Sequence, residues 1–225
     1  MKTGNSVELL GHYGGDIEHA CSAWTSTSRE LTDEKRERIP KLLAMLAREG
    51  HLTPFEKSSL HFLVTCDDAT HIHILKHRIS VSVNGESARY KELKDDKFYI
   101  PPDWRGDDPW GTLDLWAMTL VAHSEESARL YHECLKDLTP VLGRKRAKES
   151  ARYFLPKNNQ ITLDVMFNWR SFAHFQQLRN DDHAQLEVKT LAGEMLELVR
   201  NIPGEPFKYT LEAFGWGVGL GHTAT

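Results

Sequence analysis

Cysteine is scarce and scattered. Cys21, Cys66 and Cys134 form an odd, widely spaced set with no CxxC spacing, which argues against a disulfide framework or a zinc site and makes a reducing cytoplasm the natural setting. Long apolar runs are missing as well. No stretch reaches the ~18 residues of a membrane-spanning helix, and the opening MKTGNSVELLGHYGG lacks the apolar core of a signal peptide. There is no surplus of positive charge: 28 Lys and Arg face 32 Asp and Glu, a formal net charge of -4. Nucleic-acid-binding domains usually carry a basic excess, so no such partner is expected. Internal repeats and low-complexity blocks are absent too. What remains is ordinary for a globular protein, 225 residues with 40% hydrophobic and 27% charged. One domain over 1–225 is expected, with 216–225, in the Gly-rich end, as a flexible tail.

The periodicities point to α+β, a central, mostly antiparallel sheet flanked by long helices. Ser6 to Gly15 reads as a strand running into a Gly-Gly turn. Asp33 to Gly50 reads as a helix on Ile39, Leu42, Leu43 and Leu46, kinked or restarted at Pro40. Ser59 to Cys66 alternates as a strand does. Ala69 to Lys76 fits either a helix or a strand, and Ile79 to Asn84 alternates up to the Asn84-Gly85 turn signal. After a loop over Phe98 to Trp110, a long helix is predicted from Thr112 to Leu138, stopping before Pro140, and a shorter one over Arg144 to Phe154. Ile161 to Trp169 alternates again, and Arg170 to Leu178 is helical. In the last long helix, Asp182 and Gln185 resemble a capping box. Val188, Leu191, Ala192, Met195, Leu198 and Val199 form its apolar stripe.

Chemistry-bearing residues gather in three places: His51 to Glu56, Lys76 to Tyr90, and Arg152 through Asn168, Arg170 and Arg179 to His183. The middle cluster concentrates phosphate and amide binders. Arg78 and Arg89 offer planar forks that match phosphate oxygens, and Asn84-Gly85 a turn whose amides can face an anion. A solvated polar loop accounts for the same composition. His71, His73 and His77 admit a metal-hydrolase reading, but only Asp67 and Asp68 stand near enough to support it, so no metal is expected.

The order of these elements resembles the flavin-dependent thymidylate synthases. That family carries His-Arg-x-x-Ser-x-Asn-x-x-Ser-x-Arg-Tyr, matched here by His77-Arg78, Ser82, Asn84, Ser87, Arg89 and Tyr90. Its His-x-Thr-Pro-Phe-Glu element matches His51 to Glu56, and its Tyr-Ile-Pro matches Tyr99 to Pro101. Asn168-Trp169-Arg170-Ser171 and Leu178 to Glu187 match the two downstream motifs. Together they cover about Val7 to Phe214.

The resemblance implies an FAD enzyme that methylates carbon 5 of the uracil of dUMP or UMP. NADPH is the implied reductant and methylenetetrahydrofolate the carbon donor, and the assembly is a cytoplasmic homotetramer whose sites draw on several subunits. FAD would be held by Thr53, Glu56, His77, Arg78, Asn84, Asn168, Arg170 and His183, with Ser26 and His174 as further candidates. The nucleotide would be held by His73, Lys76, Glu86, Ser87, Arg89, Arg152 and Arg179. Arg179, Ser87 and His51 are the implied catalytic positions: Arg179 polarises the pyrimidine, and Ser87 positions and binds rather than attacks, having no activating base near it in sequence. No cysteine sits in the Pro-Cys-His setting of the cysteine-dependent synthases. The remaining alternative is a flavin- or nucleotide-binding protein without catalysis, against which the retained Arg78, Ser87, Arg179 and His183 argue.

Departures from the family cluster around the nucleotide. Lys76 replaces the usual first Arg of the motif. One extra residue lies between Arg78 and Ser82, so Ile79 to Val83 must bulge or take another path. Gly85 stands where Glu is common, His73 near a usual Gln, and His174 at a usual Asn. A changed cluster around one ligand suggests a changed ligand, here UMP as well as dUMP. That tolerance resembles the branch making 5-methyl-UMP for peptidyl-nucleoside antibiotics such as polyoxin; a divergent dUMP enzyme is the other reading.

Overall fold

The structure, a computed structural model, describes residues 4–87, 97–104 and 108–217. Its elements are α+β, as the periodicities predict. Strands β1 (Ser6–Tyr13), β2 (Ser59–Asp67), β3 (Val81–Gly85) and β4 (Gln160–Phe167) form one antiparallel sheet in the order β1-β2-β4-β3. Alternation in the sequence becomes alternation in burial: Leu60, Phe62, Val64 and Cys66 of β2 are buried, while Ser59, His61, Leu63 and Thr65 between them are half-buried. The helices are α1 (Asp16–Trp24), α2 (Asp33–Arg48), α3 (Asp68–Leu75), α4 (Thr112–Ala151), α5 (Trp169–Arg179), α6 (Leu186–Arg200) and α7 (Lys208–Ala213). None among the described residues is long and apolar enough to cross a membrane.

The chain divides into two compact units. One comprises Val7–Leu63, Lys76–Val83 and Asp164–Thr225; its interior is aromatic. Phe55, Phe62, Phe167, Trp169, Phe172, Phe175 and Phe207 are all buried. Trp169 stacks on Phe207 at 5.2 Å between centroids, and Phe55 meets Phe214 edge-on at 5.0 Å. Helix α2 continues through Pro40 from Asp33 to Arg48. The proline removes only one hydrogen bond there, so the helix does not start afresh at Pro40. The apolar stripe of α6 is buried as predicted, except that Leu196 rather than Leu198 fills the core. The capping box does not form: Gln185 occupies the cap position without a side-chain capping bond, its Nε2 donating to Glu187 Oε2 at 2.7 Å, and Asp182 accepts from Lys189 Nζ at 2.6 Å.

The other unit comprises Met1–Ser6, Val64–Leu75 and Asn84–Leu163, and holds the ambiguous segment after β2 as helix α3. Helix α4 runs past Pro140 and breaks at Gly143 (φ 76, ψ 152). Beyond the break it turns back, so that Tyr131 and Leu135 of the first arm pack with Ala147 and Ala151 of the second. Small alanines let the two arms approach closely. The φ/ψ of Gly143 lie near a region that only glycine enters easily, and a Cβ there meets no atom within 4 Å. The cost of Gly143→Ala is therefore backbone strain alone, about 1–3 kcal/mol. It should appear as a lowered urea midpoint with an unchanged slope.

Candidate active site

Within the aromatic unit a cavity of about 550 Å³ opens between two short stretches of sequence. Lys76 to Val81, the link from α3 into β3, forms one wall, and Asn168 with one face of α5 forms another. Leu52, Glu56 and Phe214 complete it. The 3-10 turn Thr53–Glu56 delivers Glu56, because Pro54 fixes the turn's φ and Phe55 anchors it in the core.

Charge in the cavity is one-sided. Lys76, Arg78, Arg170 and Arg179 face a single lining carboxylate, Glu56, and that one is bonded to Arg170 Nη1 at 2.7 Å. The pair is part-exposed and adds little stability, but it ties the turn to α5. A concave site with a cation surplus and apolar walls (Leu52, Ile79, Leu178, Phe214) suits an anionic ligand with a flat ring system. FAD and a nucleoside monophosphate both have that chemistry.

Among the described residues no carboxylate pairs with Arg179. Its Nε–H donates to Nε2 of His77 at 3.1 Å. Burial, then the charge of Arg179, then His174 push the His77 pKa down to about 4, so at neutral pH the ring is uncharged and able to accept. The proton then sits on Nδ1. The His77 ring is held edge-on by Phe175 at 5.0 Å and His174 at 5.8 Å. A neutral acceptor thus aims a guanidinium without neutralising it.

The stretch after Arg78 makes a turn at Ile79 and Ser80 before β3 opens at Val81. Ser80 adopts φ 55, one of two positive-φ non-glycine residues in the described chain, at a cost of about 1–2 kcal/mol. Its carbonyl accepts from Ser171 Oγ at 2.9 Å and from the Asn168 amide at 3.4 Å. Asn168 also caps α5, its Oδ1 accepting from the Ser171 amide at 2.9 Å. Ser171, Ser80 and Phe214 were not singled out from the sequence. Only the Asn-x-Arg-Ser motif and the extra residue hinted at the first two.

Of the expected ligand-binding residues, Glu56, Lys76, His77, Arg78, Asn168, Arg170, His174 and Arg179 line this cavity. His51, Thr53, Ser26 and His183 belong to the same unit but are exposed and do not line it. Ser26 Oγ donates to the Ala23 carbonyl at 3.3 Å. Thr25 beside it lines a second, more open cavity of about 570 Å³ that shares Glu56. His73, Asn84, Glu86, Ser87 and Arg152 belong to the other unit. There Glu86 continues the pairing with β4, its amide donating to the Thr162 carbonyl at 2.9 Å and its Oε2 accepting from the Thr162 amide at 3.0 Å. Gly85 is explained by packing: a Cβ would come within 2.8 Å of Leu163 Cδ2. Arg89 lies outside the described residues. Among the described residues no three His, Cys, Asp or Glu side chains gather in a group fit for a metal ion.

A buried relay missed from the sequence braces the aromatic unit. Asp16, at the start of α1, accepts from the amides of Tyr209 and Thr210 at 2.9 and 2.8 Å and from Thr210 Oγ1 at 2.5 Å. Thr210 having given its proton to Asp16, its oxygen accepts from His19 Nδ1 at 3.0 Å, and His19 Nε2 accepts from Ser58 Oγ at 2.8 Å. Each proton is used once and His19 is neutral, in keeping with a pKa that burial pushes down to about 3.

The pH dependence follows in sign. His19 and His77 have folded pKa values below the ordinary imidazole value of 6.5, so as pH falls from there the unfolded chain takes up protons that the folded chain refuses. Stability drops progressively between about pH 6.5 and pH 3. Asp16 runs the other way: burial raises its folded pKa, so its contribution is greatest at low pH and is lost as pH rises. Urea midpoints measured across this range should fall toward acid, and His19→Gln should flatten the slope.

Residues 8–203 match the family model for thymidylate synthase complementing proteins. Curated relatives include the flavin-dependent thymidylate synthase of Pseudothermotoga lettingae, 33% identical over 87% of this chain and 85% of that protein. That of Thermotoga neapolitana is 32% identical over 92% and 89%. Among solved structures, a UMP/dUMP methylase, PolB, from Streptomyces cacaoi bound with 5-Br dUMP superposes with a TM-score of 0.78 at 27% identity, covering 95% of both chains. The same methylase bound with 5-Br UMP gives 0.76 at 26% identity, covering 96% of this chain and 97% of that one.

Proposed function

The chain belongs to the thymidylate synthase complementing protein family, that of the flavin-dependent thymidylate synthases, and from that premise we propose that it methylates carbon 5 of the uracil of dUMP and of UMP. The observation that carries this reading is the cavity walled by Lys76 to Val81 and α5, where His77, Arg78, Asn168, Arg170 and Arg179 converge. The likeness to a methylase solved with both a deoxyribonucleotide and a ribonucleotide analogue supports the broad sugar range.

In this reading FAD is held by Glu56, His77, Arg78, Asn168, Arg170 and His174. When bound there, FAD would supply the reducing equivalents for the methyl group, with NADPH as the reductant and methylenetetrahydrofolate as the carbon donor. Arg78 and Arg170 favour an anionic ligand beside them by charge. Arg179, aimed by His77, would donate to a uracil carbonyl oxygen and stabilise negative charge developing there, the enolate-like form in which carbon 5 is the nucleophile. Lys76 adds a point charge for phosphate. Self-association into a homotetramer, with Ser87, Arg89 and Arg152 serving the nucleotide, belongs to the same proposal. Apolar side chains left exposed at and along α4, Trp110, Leu115, Trp116 and Met118, support an assembly.

The test is a paired assay. Purified protein should carry a flavin spectrum, and with NADPH and methylenetetrahydrofolate it should yield methylated product from both nucleotides. A colourless protein, or product from neither, would defeat the reading.

A further inference from the structure

We propose that Arg200, a residue outside the cavity, positions one wall of the cavity for its flavin by latching the segment Phe214–Trp216 in place. The inference rests on the reading that this cavity holds FAD and deepens it. It names a positioning residue that lies beyond the cavity lining.

The latch begins as a helix end. At the C-terminus of α7 the Gly215 amide donates to the Glu212 carbonyl at 3.0 Å and the Trp216 amide to the Leu211 carbonyl at 2.8 Å. These are the two bonds of a Schellman end, which needs a left-handed residue just past the cap. Gly215, at φ 77, follows the cap residue Phe214 and supplies it. The chain is thereby turned back, and Trp216 stacks on Phe214 with centroids 5.7 Å apart and 23° between the planes. The Trp216 carbonyl then accepts from Arg200 Nε at 2.9 Å. Arg200 stands in the last turn of α6 with its side chain only 16% exposed, and its Nη1 is bound to Glu197. A guanidinium held in this way makes a charge-assisted bond of fixed direction.

The segment reaches the cavity through Phe214, which lines it. Phe214 meets Phe55 edge-on at 5.0 Å and Trp169 at 5.9 Å. Those two residues directly precede Glu56 and Arg170, the ion pair of the cavity lining. Trp169 depends on such packing for its place. Its ring is fully buried, and among the described residues its Nε1–H meets no acceptor, so neighbouring rings and not a polar bond fix the indole. Trp216 packs on it too, at 6.4 Å. One bond from α6 thus steadies three rings, and through them the backbone that presents Glu56 and Arg170. Arg200 itself does not line the cavity, so it acts only through the segment it holds.

The test titrates FAD into the native chain, Arg200→Ala, Arg200→Lys, Trp216→Ala and the double alanine variant, at a temperature where each is folded. Loss of the latch or of the stacked ring should raise the FAD Kd about tenfold in either alanine variant. Arg200→Lys, which can still donate to the carbonyl, should recover part of that loss. Both residues act on one segment, so the double variant should bind FAD little worse than either single one. An unchanged Kd in Arg200→Ala, or losses that multiply in the double variant, overturn the proposal. The native chain supplies a measurement that needs no variant to fold. If the latched segment favours FAD, FAD must by reciprocity favour the latched segment, so local hydrogen exchange at the Trp216 amide should slow when saturating FAD is added. Exchange there as fast with FAD as without it overturns the proposal alone. A native protein that binds no FAD overturns the cofactor reading, and the proposal with it.

Discussion

Replacing Arg179 with alanine should abolish productive nucleotide binding while leaving the flavin in place. Arg179 is half-buried in the cavity wall; among the described residues no carboxylate neutralises it and its one side-chain bond is to the neutral His77. A guanidinium in that state has unspent charge and a free planar edge, and charge-assisted bonds from it contribute about 1.5–3 kcal/mol each. Loss of the side chain should therefore lower kcat/KM for the nucleotide by about a hundredfold or more. Arg179→Lys should recover only part, since an ammonium restores the charge without the fork. The same variant reports on His77. Arg179 is the second cause of its low pKa after burial, so in Arg179→Ala the imidazole should titrate at higher pH, a shift that NMR of the ring protons can read. Loss of flavin together with activity, or a nucleotide KM left unchanged, would show that Arg179 is not the nucleotide's anchor.

The sequence was most legible where one physical rule acts alone. Strand alternation located β2 and β4, because burial on one face of a sheet has a period of two that nothing else competes with. The stripe of α6 was readable for the same reason at period 3.6. Prolines did not stop the helices, since a missing amide is only one bond: α2 runs on through Pro40, and α4 passes Pro140 to break at Gly143. The fold-back of α4 depends on Tyr131 and Leu135 finding Ala147 and Ala151, a tertiary fact with no local signature.

The candidate site was legible as motifs and only partly as geometry. Residues contiguous in sequence, Lys76 to Arg78 and Asn168 to Arg179, do share one cavity. What the motifs did not carry is which side chain aims another. His77 was expected to touch the flavin, and its bond to Arg179 emerges only from placement. Nor did the sequence carry the left-handed backbone of Ser80. Asp16, His19, Ser58 and Thr210 were invisible because they lie as much as 194 positions apart, and a histidine or aspartate in an unassigned helix has no pattern to betray it.

That hidden relay carries the largest expected stability effect. Asp16 satisfies the second and third amides of α7, donors that a helix cannot satisfy internally, and it does so from another helix, so it fastens α7 to α1 as well as capping it. Asp16→Ala would leave two amides and the Thr210 hydroxyl without their acceptor inside the protein, where buried unsatisfied groups cost about 1–3 kcal/mol each. Allowing for partial relaxation, a loss of about 3–5 kcal/mol is expected, a large part of a small protein's stability. Asp16→Asn should lose less, because its carbonyl can still accept from Thr210 while its amide group faces the Tyr209 N–H. The damage should also reach the cavity. Phe214, just beyond α7, lines it and packs on Phe55 and Trp169, so loosening α7 releases an aromatic wall. Flavin affinity, measured by titrating the protein with FAD, should fall in Asp16→Ala at temperatures where the fold persists. An unchanged urea midpoint would mean that the relay does not hold α7; a lowered midpoint with unchanged flavin affinity would mean that Phe214 keeps its place without it.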